Sequence, residues 1–554
     1  MRYRTVARPK RISRTMAALL VGVGAVGIAV PIGVSPADAA ARKPTPAAAA
    51  AGAAKAAGAA KAAGAAKAAA VAKAAAQAKA AAAAKAAAQA KAAAQAKAAA
   101  AAQAAGQARI AAAALRTIRI GSAPALLAAV EVARPGDRIE LATGSYLLYD
   151  TLKVEASGTA AAPIVIAAAA GAKPEILGYG SLEIKGGYIT VDGLTFLNSG
   201  TVKVTSSAVH ARFTANTFRL GYAATNWLSV AGDDAQIDHN QFVGKQSAGV
   251  LLQIIGAGAS DMAERVRVDH NYFADHSFGG TNGGEALRLG VSARQHAIAK
   301  AVVEDNLFER VNGDQEAISV KSSGNIIRRN TIRASKGTIT LRHGSGNVVD
   351  SNLLIGGTTG IRVFGNDQIV INNIVQDSTR HRTVEVGGGD RRDDVVSGDD
   401  HDAADRVLIA FNTVVTTSLT STALEVGDDG DLVAPDSVTV ADNILVGGKR
   451  AAQAERGSRL TWVGNLGSGA VDGVFTGFRA ADAKLVRDAG GVFRPGSGSA
   501  ATGAAIGTWS AVTLDVDGQT RPILRRSVGA DEPSAGAAVN RTPATKLSLG
   551  LGLG

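Results

Sequence analysis

No cysteine occurs anywhere in the 554 residues. Disulfides, thiolate zinc sites and cysteine nucleophiles are therefore excluded together. Aromatic residues are scarce as well, at 4% of the chain, whereas glycine numbers 65. Any core must be filled by Val, Ile, Leu and Ala. One region also lacks acid altogether: residues 41–110 hold eleven Lys and Arg and no Asp or Glu. That local gap makes the net charge of +12 a poor guide to the whole chain. Seventeen of the 59 basic and one of the 47 acidic residues precede residue 111, so the remaining 444 carry a net of −4. A mildly acidic body argues against a basic nucleic-acid-binding domain.

The first residues read as an export signal. A basic stretch ending at Arg14 precedes an apolar run over 16–34 and the small-residue site Ala37-Asp38-Ala39. An uncleaved membrane anchor is the alternative, and Pro31, the many small residues and the cleavage site stand against it. A formal GxGxxG at Gly22, Gly24 and Gly27 has neither a strand before it nor the acidic residue a dinucleotide site needs. Residues 41–110 are Ala, Lys and Gln, with Lys55, Lys61, Lys67, Lys73, Lys79, Lys85, Lys91 and Lys97 spaced by six. Six residues turn a helix by about 600°, so successive lysines point in three directions and leave no apolar stripe. A solvated spacer is the plain reading, and an ionic tether to a polyanion or cell wall the sharper one.

From about residue 111 short β-branched runs are punctuated by Gly, Asn and Asp. Asn, any residue, then an apolar residue recurs at Asn216, Asn240, Asn271, Asn306, Asn330, Asn352, Asn373, Asn412 and Asn443. Asp192-Gly-Leu194 is read as an earlier degenerate copy. Intervals of 21–24 residues without helical segments fit one turn of a parallel β-helix, and wider gaps fit a turn plus an inserted loop. Asparagine at the same bend of each turn would stack into an amide ladder. The expected fold is all-β: a single-stranded, right-handed parallel β-helix. The chain divides into an export signal over 1–39, a spacer over 40–110, the β-helix over 111–532 and a mobile tail over 533–554. A monomer is expected.

Lys321, Arg342 and Arg362 are separated by 21 and 20 residues, one turn each. If all three face outward they form a cationic stripe on neighbouring strands. Asp314 and Glu316, two apart, would share one strand face just before it. Carboxylates with an amide carbonyl such as that of Asn282 suit a hard ion like Ca²⁺. Cations beside such a group fit an acidic substrate, although a solvated charged face would look the same.

The stretches Asn282-Gly-Gly-Glu-Ala-Leu-Arg288-Leu-Gly290, Asp314-Gln-Glu316-Ala-Ile-Ser-Val-Lys321-Ser322, Gly337-Thr-Ile-Thr-Leu-Arg342-His343-Gly344 and Gly360-Ile-Arg362-Val resemble polysaccharide lyase family 6. That family comprises chondroitinase B-like and alginate lyases, and the resemblance spans roughly 115–532. Asp515-Val-Asp517-Gly518 through Asp531 also matches its layout. The resemblance implies β-elimination on an acidic polysaccharide. It implies Lys321 as the base at C5 and Arg342 at the departing O4. It also implies Asn282, Asp314 and Glu316 as Ca²⁺ ligands, with Arg288, Arg362, His343 and Lys245 lining sugar subsites. The family often carries Glu where this chain has Asp314. His343, next to Arg342 on a strand, should face the other way unless the chain kinks, so a packing role is equally open.

Alginate is the expected substrate. Dermatan sulfate is the alternative, kept open by Arg380, Arg382, Arg391 and Arg392. A non-catalytic, glycan-binding β-helix is the reading from a different class. Seven Asp between residues 390 and 405 mark an inserted loop, read as solvated, with a second calcium site after Gly387-Gly388-Gly389 as the sharper option.

Overall fold

The computed structural model describes residues 116–551, apart from 222–224, 281, 394–399, 417, 429, 475, 508 and 534–539. The expected export signal and the Ala/Lys spacer lie outside the described residues. Three-residue strands dominate, and within the coil they pair in parallel with the strands one turn earlier and one turn later. Three ladders result. The first runs from Thr117–Ile120 to Thr461–Val463 and forms a fourteen-stranded sheet. The second begins at Gly144–Leu147 and the third at Leu152–Val154. These two merge into one sheet where Ile444–Ala454 runs through both. The architecture is the parallel β-helix that the 21–24-residue period implies.

Alternation along each strand fills the coil. The residue two beyond each ladder asparagine turns inward, and Phe196, Phe218, Phe242, Phe273 and Phe308 stack at 5.0, 4.5, 4.9 and 4.7 Å between centroids. Ile332, Leu354 and Val375 continue that file, all fully buried. Scarce aromatics are thus concentrated where one ring per turn supports the next.

At the bend between the first and second ladders the amides form a continuous chain from Asn216 to Asn465. Each Nδ2 donates to the next Oδ1 at 2.9–3.0 Å. The residue before each asparagine takes a left-handed conformation, as at His239, Asp305, Arg329 and Phe411, with φ of 54–56°. Such a residue costs about 1–2 kcal/mol without compensation, and the ladder's bonds to the adjoining backbone hold it there. Asp192 is not a copy of the unit: it pairs with Thr214. Leu194 occupies the ladder position, its N–H donating to Asn216 Oδ1 at 3.0 Å. A short carboxylate two residues too early cannot extend an amide chain.

Two features close the coil. The helix Ala123–Glu131, which the sequence pattern does not announce, buries Leu126, Ala129 and Val130 over the open first turn. Ser122 caps it, its hydroxyl accepting from Ala125 N–H at 3.4 Å. At the other end the chain folds back along the outer face of the second ladder. Val492, Val516 and Ala530 pack on Leu353 and Ile374, and Leu549 and Leu551 reach Tyr272, Ala274 and Leu307. Residues 540–551, expected within a mobile tail, are therefore docked. The acidic block near Asp515 serves this strap: Asp515 accepts from the N–H groups of Asp517, Gln519 and Glu532, and buried Arg521 donates to Asn372 Oδ1 at 3.0 Å.

Asn330→Ala tests the ladder at its middle. The Asn330 side chain accepts from the backbone and amide of Asn306 and donates to Val303 O, Arg328 O and Asn352 Oδ1. Leaving those buried groups bare should cost about 3 kcal/mol or more in denaturant titration. A loss below about 1 kcal/mol would show that the ladder is ornamental.

Candidate active site

The third ladder sets the site. Its outward file, one residue per turn at about 4.8 Å spacing, reads Gln253, Arg288, Ser319, Thr340, Arg362, Glu385, Glu425. Leucine, isoleucine and valine alternate with it and point into the coil, so the polar file is forced out. Equal sequence spacing does not become equal register here. The pairing of Glu316–Lys321 with Thr338–His343 shifts at both ends, which sets Lys321 opposite His343 and leaves Arg362 level with Thr340. The expected straight stripe is a staggered group instead, because the irregular pairing displaces Arg342 from the Lys321 position.

Two buried carboxylates hold that group. Glu285 Oε1 lies 3.4 Å from Lys321 Nζ and 3.6 Å from Arg288 Nη1. Glu316 Oε1 lies 3.1 Å from Arg342 Nη1 and 3.8 Å from Arg362 Nη1. Asp314 links the two: its Oδ2 accepts from Gly284 N–H at 3.1 Å and its Oδ1 from Glu316 N–H at 3.2 Å. Burial, then the charges of Glu285 and Glu316, pushes the Asp314 carboxyl up. Asn282 lies exposed on the turn leading into Glu285.

Glu285, Asp314 and Glu316 are at most 5% exposed. Among the described residues Glu285 Oε2 and Glu316 Oε2 have no hydrogen-bond partner. Buried, bare carboxylate oxygens beside a carboxyl already crowded by like charge fit a hard divalent cation. One acidic trio among the described residues has oxygens within 4.8 Å of one another, and it lies elsewhere: Asp515, Asp517 and Asp531 in the strap. There Arg494 already bridges Asp517 and Asp531, at 2.7 and 3.2 Å.

The structure brings Arg288, Lys321, Arg342, Arg362, Asp314 and Glu316 together and sets two others back. His343 is fully buried, its Nε2 3.0 Å from Ser292 Oγ. Lys245 is also fully buried, its Nζ 3.1 Å from Ser247 Oγ and 5.4 Å from the centroid of the Trp227 ring. Burial lowers its pKa to about 8. It sits behind the acidic corner, where His276, bonded to Ser247 O, abuts Gly313. Sequence reasoning left out Glu285, although that residue stands inside the block from Asn282 to Gly290. It also left out His401, which arrives from the inserted loop and stacks on Phe364 at 4.0 Å between centroids; no spacing could have signalled that.

A cationic group fixed on buried acids can hold a polyanion's carboxylates while one amine faces the chain being held. Similarity to known proteins agrees with this reading. A sequence model of the family described as Chondroitinase B matches residues 120–466. No curated protein matches the chain. Among solved structures, the polysaccharide lyase family 6 alginate lyase AlyGC is 28% identical over 69% of this chain, with a TM-score of 0.60. This chain spans 55% of that protein's length. A mannuronic acid-specific family 6 lyase from human gut microbiota shares the fold at 24% identity, covering 64% of this chain and 86% of its own, with a TM-score of 0.55. So does a family 6 alginate lyase complexed with trisaccharide, at 20% identity, 76% and 96% coverage and a TM-score of 0.59.

His343 and His401 are both pushed down to about 3, first by burial and then by neighbouring cations, Arg342 foremost. Their NMR Hε1 signals should not titrate between pH 5 and 8. Because the unfolded chain protonates first, these groups make stability fall as pH drops from about 6.5 towards 3. A titration midpoint near 6.5 at either ring would contradict the buried placement.

Proposed function

Because the chain belongs to the chondroitinase B family, polysaccharide lyase family 6, whose model covers well over half of it, we propose that it is a lyase cleaving a uronic-acid polymer, alginate first, by β-elimination. One observation carries the reading: Arg288, Lys321, Arg342 and Arg362 are fixed on one outward face by Glu285 and Glu316. A random charged surface would not anchor its cations on acids this deeply buried.

The C5 proton of a uronate is weakly acidic because its removal builds charge beside an existing carboxylate. Arg362 and Arg288 bind the carboxylates of the sugar units in the groove. Lys321, as the free amine, takes the C5 proton. The electrons of the C5–H bond become the C4–C5 double bond, and the C4–O4 bond breaks. Arg342 stabilises the charge on the departing O4. Its guanidinium is a poor proton donor, so water is the better source of the final proton. Asn282, Asp314 and Glu316 are the residues that would hold Ca²⁺, with Glu285 beside them. When bound, the ion supplies positive charge against the uronate carboxylate. Asp314, shorter than glutamate, accepts from Gly284 N–H at 3.1 Å, so an ion held there would take water to complete its shell.

Dermatan sulfate is the weaker reading. Sulfate recognition needs further arginines, and Arg380, Arg382 and Arg392 are held by Glu385, Glu425 and Asp405 respectively, outside the group on Glu285 and Glu316. Secretion is inferred from the export signal, and residues 41–110 are read as a solvated spacer.

The test is ultraviolet absorbance of the unsaturated uronate with polymannuronate, polyguluronate and dermatan sulfate as substrates. Alginate-type polymers should give the signal, and Lys321→Ala should reduce kcat by about 10³-fold or more. No signal with any polymer would favour the glycan-binding module. A fully active Lys321→Ala would reject the mechanism. Chelation with EDTA should slow turnover and added Ca²⁺ restore it; an unaffected rate would remove Asp314 and Glu316 from a metal site.

A further inference from the structure

The inserted segment 387–405 is bonded into the coil on both sides of its undescribed centre. Gly389 and Val433 exchange backbone bonds at 2.8 Å, His401 N–H donates to Asp390 Oδ2 at 2.8 Å, and Gly365 N–H donates to Asp402 O at 3.0 Å. Its three glycines have a packing reason. A Cβ on Gly387 would lie 2.2 Å from Phe364 Cε1, one on Gly388 2.3 Å from Val433 O, and one on Gly389 2.5 Å from His401 O. Close approach of Gly387 to Phe364, of Gly388 to Val433 and of Gly389 to His401 accounts for the run.

Two side chains meet on the Phe364 ring. The His401 ring lies on Phe364 at 4.0 Å and 26°. The Arg362 guanidinium also lies over the Phe364 ring, 5.1 Å from its centroid. Among the described residues Arg362 is also ion-paired at its edges, to Glu385 at 3.3 Å and Glu316 at 3.8 Å. Phe364 itself is 4% exposed, so its orientation depends on what packs against it. Burial and the charges of Arg342, Arg362 and Lys321 keep the His401 imidazole neutral. A neutral ring can pack on Phe364 without repelling the cation that rests on the same side chain.

We propose that His401 is a positioning residue: stacked on Phe364, it fixes the surface on which the Arg362 guanidinium rests and so sets that cation for the substrate carboxylate. The inference rests on the lyase reading of this groove and adds to it a residue outside the ladder. It makes His401 a support of the substrate site.

His401→Phe, His401→Gln and His401→Ala separate ring packing from hydrogen bonding. Turnover of polymannuronate and calorimetric affinity for a mannuronate tetramer are measured side by side, with melting temperature as the control for folding. His401→Ala and His401→Gln should raise KM and weaken tetramer affinity about tenfold, with kcat within about threefold and an unchanged melting temperature. His401→Phe should recover most of the affinity. In a Phe364→Leu background, His401→Ala should add little further loss, because the two act as one unit. A His401→Gln enzyme with wild-type KM and affinity would overturn the proposal, as would a His401→Phe enzyme no better than His401→Ala. Wild-type protein that binds the tetramer without cleaving any polymer would instead defeat the lyase reading, and the affinity series would still decide the stack.

Discussion

The amide chain from Asn216 to Asn465 is the constraint on which the rest of the molecule depends. A parallel coil of three-residue strands has little to fix its register, since each strand contributes only a few backbone bonds. The asparagine side chain supplies what the strands cannot. It donates to the next asparagine and to the backbone of the previous turn, and accepts from its neighbour's N–H, as Asn306 and Asn330 show. One slipped turn would break the chain of amides on both sides of the slip and leave buried donors bare. The ladder therefore dictates which residues of successive turns lie side by side. Through that, it determines that Arg288, Ser319, Thr340 and Arg362 share one outward file.

The groove departs from that regularity where chemistry is concentrated. The pairing of Glu316–Lys321 with Thr338–His343 slips at each end, the strands there are twice the usual length, and buried acids stand behind the cations. Glu285 and Glu316 each have one oxygen in an ion pair and one without a partner among the described residues. A fold seeking only stability would replace such acids with apolar residues. Their presence behind the cations is in keeping with the proposed groove for a polyanion beside a hard cation.

Much of this was legible in the sequence because repetition converts spacing into position. The unit beginning at each asparagine announced the turns, and the acids and cations within 282–362 announced the face. What escaped has specific causes. Asp192 imitates the unit in letters only, and the amide chemistry that defines the ladder begins one strand later. The helix Ala123–Glu131 is a nine-residue, alanine-rich segment whose role appears only once an open end of the coil needs covering. The offset of Arg342 comes from irregular pairing, which even spacing conceals. Lys245 carries a charge that suggested the surface, yet it is packed behind Trp227. His401 comes from an insertion, so no period relates it to Phe364.

The returning strap changes how the coil holds together. Neighbouring turns touch only one another, which by itself would make a linear array able to fray from either end. The strap bonds to positions far apart in the chain: Phe493 to Gln376, Arg521 to Asn372, Ala530 to Thr413 and Ala544 to Thr331. Gln376 and Asn372 share one turn, and Thr413 and Thr331 belong to two others, so opening any of these three turns also releases contacts of the strap. A stack of semi-independent units is thereby tied into one cooperative body.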